Sequence, residues 1–556
     1  LLKCCLFYIN HVKELMDKTQ DRGRRKELMR IHESLQNIIV SPPKTMHEGL
    51  QLMFLYSILS GAIEYGRMDV YTGDLYESDL KTGILDEEEA VCILKSLWLL
   101  MQARGAIMDH RVILGGRGRR NEANADQFAM AAMEATRRLK EILPQLTLRF
   151  YEGMNPILYQ KALDCIGEGC TYPLLYNDDV NIPAVAKAFN IPIEKAVDYL
   201  PLGCGEYALD HKGFSTPSGI LNVLKVLELT LHNGMDVETG EFAGLSLGSL
   251  KEFETFEQLF EAYKKQIEYF LDLLADQEWI EYDITSREAN FLMLGILYDD
   301  CLMKNKPIFR GGIRYLGGTI ETYGNVNTAD SLTAIKKLVY DEEKLSQEQL
   351  MEALDSDFQG YEQERRLMLD CPKYGNDDST ADSMMLRVHD LICHAARNQK
   401  HRTPLDYYLV VIINNHSNTI LGRDTLASAD GRKAHTFMAN ANNPMSGMDK
   451  KGVTAFLNSI LKPDSTIHAG AVQNMKFSKE MFKTKRKQLE QLLLAYFKNG
   501  GTQAMINVLD SNDLEDALVN PGKYPTLIVR VGGFSARFVD LDRDVQEEIV
   551  RRTLNQ

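Results

Sequence analysis

Tyr524-Pro-Thr-Leu-Ile-Val-Arg-Val-Gly-Gly-Phe-Ser-Ala-Arg-Phe538 is the stretch on which the reading of this chain turns. The apolar run 527–531 reads as a strand, and it leads straight into Gly532-Gly533 and then an aromatic residue. Glycine at a strand end usually marks a turn with positive φ or the close approach of another backbone. The full spelling, R-V-x-G-F-S-x-x-F, is much rarer than a Gly-Gly pair. It makes Gly533 a candidate for more than a hinge.

The chain has 556 residues, 44% hydrophobic and 25% charged, the composition of a large globular protein. No run of eighteen apolar residues occurs, so no membrane span is expected. A formal net charge of −15 disfavours non-specific nucleic-acid binding. Nine cysteines lie scattered without a C-x-x-C pair. That pattern points to a reducing, cytoplasmic setting, with no disulfide framework and no local metal-ligand spacing. The absence of an initial methionine suggests a longer natural chain.

Helical periodicity runs through 86–102, 127–142, 256–275, 330–340, 487–498 and 544–554. Strand-like segments at 145–151, 174–176, 407–414, 505–509 and 527–531 lie between them. Long helices alternating with strands indicate an α/β architecture. The basic residues Arg111, Arg117, Arg119 and Arg120 read as a solvated surface loop.

The second informative segment is Tyr199-Leu-Pro-Leu-Gly-Cys-Gly-Glu-Tyr207. It places a thiol and a carboxylate two residues apart in a glycine-flanked turn. Its G-x-G-x-x-A match to a dinucleotide fingerprint fails, because Pro201 precedes the turn and Gly213 and Pro217 follow where a helix should continue. Alone, Cys204 reads as a small core residue.

Together the two segments resemble the glycyl radical enzymes, the family that includes pyruvate formate-lyase. The G-C-x-E turn is similar to the family's thiyl cysteine loop and the R-V-x-G-F run to its radical loop. Further matching segments are Tyr65-Gly-Arg-Met-Asp69, Tyr172-Pro-Leu-Leu-Tyr-Asn-Asp178, Arg310-Gly-Gly-Ile-Arg-Tyr315, Ser428-Ala-Asp-Gly-Arg-Lys433 and Gly500-Gly-Thr-Gln-Ala-Met-Ile-Asn507. They cover nearly the whole chain in the family's order. The resemblance implies a ten-stranded α/β barrel surrounded by helices. An N-terminally incomplete pyruvate formate-lyase-like domain, 1–430, would hold the cysteine loop, and 431–556 would be the glycine radical domain. It also implies a homodimer, with no cofactor bound in the chain and no metal. A radical S-adenosylmethionine activase would install the radical on Gly533.

The chemistry suits those residue types. A backbone radical is stabilised by delocalisation into both adjacent amides, which requires a planar centre that a side chain would crowd. A thiol S–H bond is weak enough for hydrogen-atom transfer. In the family, pyruvate formate-lyase carries a second, adjacent cysteine at this turn, where the present chain has glycines. The G-C-x-E spelling resembles instead the dehydratases and C–X lyases, in which the glutamate, here Glu206, serves as general base. A radical decarboxylase, a formate C-acetyltransferase and an inactive homologue are the alternatives. Gly61 and Ser218 stand where diol dehydratases carry a histidine and an aspartate, which disfavours glycerol or propanediol. Candidate residues around the small-molecule substrate are Tyr207, Phe214, Thr216, Ser218, Glu321 and Asn442, with Thr216 and Ser218 also placed to cap a helix from Gly219.

Overall fold

The computed structural model describes residues 2–105, 109–214 and 217–552, without the side chains at 214, 217 and 218. Fifteen strands and a larger number of helices alternate along the described residues. Strands β1 (Arg111–Gly115), β2 (Gln145–Phe150) and β3 (Leu174–Asn177) run parallel. The hairpin strands β4 (Tyr199–Leu202) and β5 (Glu206–Leu209) follow, then β6 (Gly213–Phe214) and β7 (Pro217–Asn222). A short ribbon pairs β8 (Met235–Asp236) with β9 (Glu241–Phe242). Next come β10 (Tyr315–Tyr323), β11 (Tyr407–Val411), β12 (Asn474–Phe477) and β13 (Gln503–Val508), and last the hairpin of β14 (Ile528–Arg530) and β15 (Ser535–Arg537).

Two sheets enclose the centre. The first has the order β1-β2-β3-β13-β12, with β13 antiparallel to β3. In the second, β11, β6 and β7 all pair parallel with β10. Residues 469–472 extend it, through Ala469 N–H to Val410 O (2.8 Å) and Val472 N–H to Ile412 O (2.9 Å). The β4–β5 hairpin lies between the sheets. A Cβ on Gly205 at its turn would meet Tyr176 Oη of β3 at 3.1 Å and Gln503 Nε2 of β13 at 3.3 Å. From the other side, the Tyr207 N–H donates to Ala469 O at 2.9 Å.

The alternation within β2 shows why the interior is polar. Leu146 and Leu148 belong to the apolar core, whereas Gln145, Thr147 and Arg149 share the opposite face and are also buried. A strand buried on both faces belongs to a sheet covered on both sides. Gln145 and Thr147 accept from the Arg111 guanidinium at 2.9 and 2.8 Å. Arg149 pairs with Asp178 through two contacts of 2.9 Å and donates to the Tyr199 carbonyl at 2.8 Å, which anchors the start of β4. Arg149→Leu leaves the Asp178 carboxylate buried without its cation and should cost about 3–5 kcal/mol. A thermal midpoint equal to that of the wild type would contradict this.

Three sequence expectations change here. Arg111 and Arg119 are buried rather than solvated: Arg111 is held by Thr147 and Gln145, and Arg119 pairs with Asp126 (2.6 Å), on the helix that follows it, and with Asp69 (3.4 Å), fifty residues away. Arg117 and Arg120 are exposed, as a loop reading requires. No helix starts at Gly219, which lies inside β7; the helix is Val223–Leu231, capped by Asn222 accepting from Lys225 N–H at 3.1 Å. The expected helix 256–275 continues to Glu288.

The β14–β15 hairpin packs in an apolar cluster separate from the main core. Val529, Val531, Phe534 and Phe538 pack there with Leu514, Val545 and Ile549. No helix of the described residues is long and apolar enough to cross a membrane.

Candidate active site

Two turns far apart in sequence meet between the sheets. The first joins β4 to β5. Gly203 (φ +45°) and Gly205 (φ +130°) adopt conformations that side chains disfavour, and Cys204 is held between them, 6% exposed. The second turn joins β14 to β15. A Cβ on Gly533 would stand 2.6 Å from the Cys204 carbonyl oxygen and closer still to its Cα and Cβ. A Cβ on Gly532 would lie 2.6 Å from the Asn414 carbonyl carbon. Neither position has room for a side chain.

Gly533 N–H donates to Asn414 O at 2.7 Å. The rest of the turn is held by its carbonyls. Arg530 Nη2 donates to Gly532 O at 2.8 Å, while Asn440 Nδ2 (3.0 Å) and Arg552 donate to Val531 O. The buried side chains of Val531 and Phe534 flank the two glycines, and His416 meets the Phe534 ring edge-on at 6.1 Å. This surrounding excludes water from Gly533.

Glu206 opens β5 and turns toward the same space. A Cβ on Gly203 would stand 2.9 Å from its Cδ. The Glu206 side chain is buried, and Oε2 has no hydrogen-bond partner among the described residues. Burial pushes its carboxyl up to about 8, Asp109 and Glu321 add to the rise, and Arg111 opposes it. Lys212, the cation nearest in sequence, pairs with Asp198 instead. Burial, then the charges of Glu206, Glu321 and Asp109, raise the Cys204 thiol well above its ordinary range. A thiol so placed stays protonated and suits hydrogen-atom transfer; nucleophilic catalysis needs a thiolate.

Of the expected substrate contacts, Glu321 on β10 is buried among these charges and accepts from Tyr323 Oη at 2.5 Å. Tyr207 departs from expectation. Consecutive strand residues point to opposite faces, so with Glu206 inward its neighbour faces away. The Tyr207 hydroxyl donates to Asn181 Oδ1 at 2.8 Å, and its ring meets Tyr199 edge-on at 5.5 Å. Asn442 lines a small polar cavity with His389, His468 and Gln473, a set that includes none of Cys204, Glu206 and Gly533. Thr216 lies outside the described residues, as do the side chains of Phe214 and Ser218.

Three residues that the sequence reading did not place at the site, Arg111 among them as a supposed surface residue, surround the turn. Glu64 and Arg111 bond its backbone, and Asp109 contributes charge to Cys204 and Glu206. Asp109 (φ +72°) and His110 (φ +55°) hold a left-handed backbone unusual for non-glycine residues, a strain that recurs at functional sites. Among the described residues, no cluster of His, Cys, Asp or Glu is placed to hold a metal ion.

Residues 3–422 match the family described as Pyruvate formate lyase-like, and residues 438–539 match the Glycine radical family. The chain belongs to the glycyl radical enzymes. The enzyme is 28% identical to the trans-4-hydroxy-L-proline dehydratase of Clostridioides difficile, over 98% of this chain and 72% of that protein. It is 30% identical to the protein named "Probable dehydratase YbiW" of Escherichia coli strain K12, over 97% of this chain and 71% of that one. The glycerol-bound B12-independent glycerol dehydratase from Clostridium butyricum superposes with a TM-score of 0.93 at 28% identity, covering 100% of this chain and 72% of that chain. The enzyme therefore has the α/β barrel fold of its family, with the two sheets as walls. Its glycine radical domain marks a glycyl radical modification, and enzymes of this kind act on a small substrate after activation by a partner protein.

Proposed function

We propose that this enzyme is a dehydratase-type C–X lyase acting on a small hydroxylated molecule. The supporting observation is the unpartnered carboxyl oxygen of Glu206 beside a buried, protonated Cys204 that abuts Gly533. In this reading the Gly533 α-carbon radical takes the hydrogen atom of the Cys204 S–H, leaving a thiyl. The thiyl takes a hydrogen atom from a carbon bearing a hydroxyl. That hydroxyl becomes more acidic, Glu206 accepts its proton, and the group on the neighbouring carbon leaves with its bonding electron pair. The product radical then recovers a hydrogen atom from Cys204, and the radical returns to Gly533.

Phe214, Thr216, Ser218 and Glu321 are proposed to line the substrate space, with Glu321 supported by its charge on Cys204 and Glu206. The chain divides in this reading into 1–430 and 431–556. A cytoplasmic homodimer activated by a radical S-adenosylmethionine enzyme completes the proposal.

Anaerobic activation followed by a panel of polyols, hydroxylated amino acids and arylacetates tests it. The expected outcome is a glycyl doublet in electron paramagnetic resonance and a carbonyl product plus a released leaving group. Carbon dioxide from an arylacetate would replace this reading with decarboxylation. The absence of a radical signal with any activase would end it.

A further inference from the structure

Gly203, the residue before Cys204, is gripped on both sides of its α-carbon. Its N–H donates to Glu64 Oε1 at 3.1 Å, and its carbonyl accepts from Arg111 Nη2 at 2.5 Å. Glu64 also bonds the other member of the pair, since its Oε2 accepts from the Arg111 backbone N–H at 3.1 Å. The two bonds fall on the two peptide planes that flank Gly203, so together they set its φ and ψ. Those angles decide where the Cys204 α-carbon stands relative to Gly533.

Neither clamp is free to drift. Glu64 sits in a segment without regular structure, but Tyr65 N–H donates to Arg111 O at 3.0 Å and Ile113 N–H to Gly66 O at 2.9 Å. The segment is thereby laced along β1. Arg111 is fixed in turn by Thr147 and Gln145. We infer that Glu64 is a positioning residue for the thiol turn, holding Gly203 with Arg111 as its counterpart. This rests on the proposed roles of Cys204 and Glu206.

The type of residue matters. The groups facing Glu64 are Asp109, Arg111 and Glu206; Glu321 faces Glu206 from β10. A carboxyl can accept from two backbone N–H groups at once, whereas glutamine offers one oxygen and leucine none. Burial, with Asp109 adding to it and Arg111 opposing it, raises the Glu64 carboxyl to about 8.

Two measurements on Glu64→Leu and Glu64→Gln test the inference. Amide hydrogen exchange of the unactivated protein reads the clamp directly. The peptide containing 199–209 should lose protection in Glu64→Leu, less so in Glu64→Gln, while the strands of both sheets keep theirs. After activation, Glu64→Leu should retain the radical doublet and lose about 10²-fold in kcat, the cost of a misplacement near 1 Å, with KM changed little. Glu64→Gln should recover part of that loss, again in kcat rather than KM. Full protection at 199–209 in Glu64→Leu, or an unchanged kcat, would overturn the inference. So would a general loss of protection across both sheets. If the wild type itself shows no turnover, the function reading fails while hydrogen exchange still decides the role of Glu64.

Discussion

Cys204→Ser is expected to keep the glycyl doublet and to lose turnover by at least about 10⁴-fold, whereas Gly533→Ala should lose both. The serine variant retains the size and burial of residue 204, so the Gly533 turn keeps its neighbours. What changes is the bond to be broken. An O–H bond is far stronger than S–H, and a barrier higher by only about 5.5 kcal/mol already slows a step about 10⁴-fold. Alanine at 533 acts differently. Its Cβ would occupy the space of the Cys204 backbone, within 2.6 Å of the carbonyl oxygen, and β14–β15 would have to shift. Its α-carbon would also lose the planarity that the radical requires. Paramagnetic resonance and product formation measured on the same activated samples separate the two. Turnover in Cys204→Ser would remove Cys204 from the reaction.

Glu206→Gln should lower kcat by about 10²–10⁴-fold, the usual contribution of a positioned acid or base, with the radical signal intact. The wild type should show kcat/KM rising about tenfold per pH unit and levelling off near 8, because the base form is the carboxylate and burial holds its pKa there. The glutamine variant should lack that limb. Stability carries the same signature with the opposite sense. A carboxyl whose folded pKa is raised from 4.5 to about 8 keeps its proton in the folded state over a range where the unfolded chain releases it. Stability is thus lost as pH rises through that window, and Glu206→Gln should show a flatter dependence of the thermal midpoint between pH 5 and 8. A profile unchanged by the substitution would exclude Glu206 as the base.

The sequence by itself determined the family, the α/β class and the two turns. The turns that hold Gly533 and Cys204 are legible because rare spellings surround both glycine-rich segments, and the folded chain brings them into contact. Strands such as Gln145–Phe150 are legible from local pattern. Tertiary structure alone decided which way side chains face and what they meet. Tyr207 sits one position from Glu206, yet its hydroxyl belongs to Asn181, because a strand sends neighbours to opposite faces. Arg111 and Arg119 look like a surface cluster until Thr147, Gln145, Asp69 and Asp126 are brought against them. Glu64 reaches Gly203 across 139 residues of chain, and no local pattern carries a contact of that span. Residue type follows from the chemistry each position must perform, so it is written in the sequence. Direction and partnership follow from how distant segments close around one space, so they appear only in the folded chain.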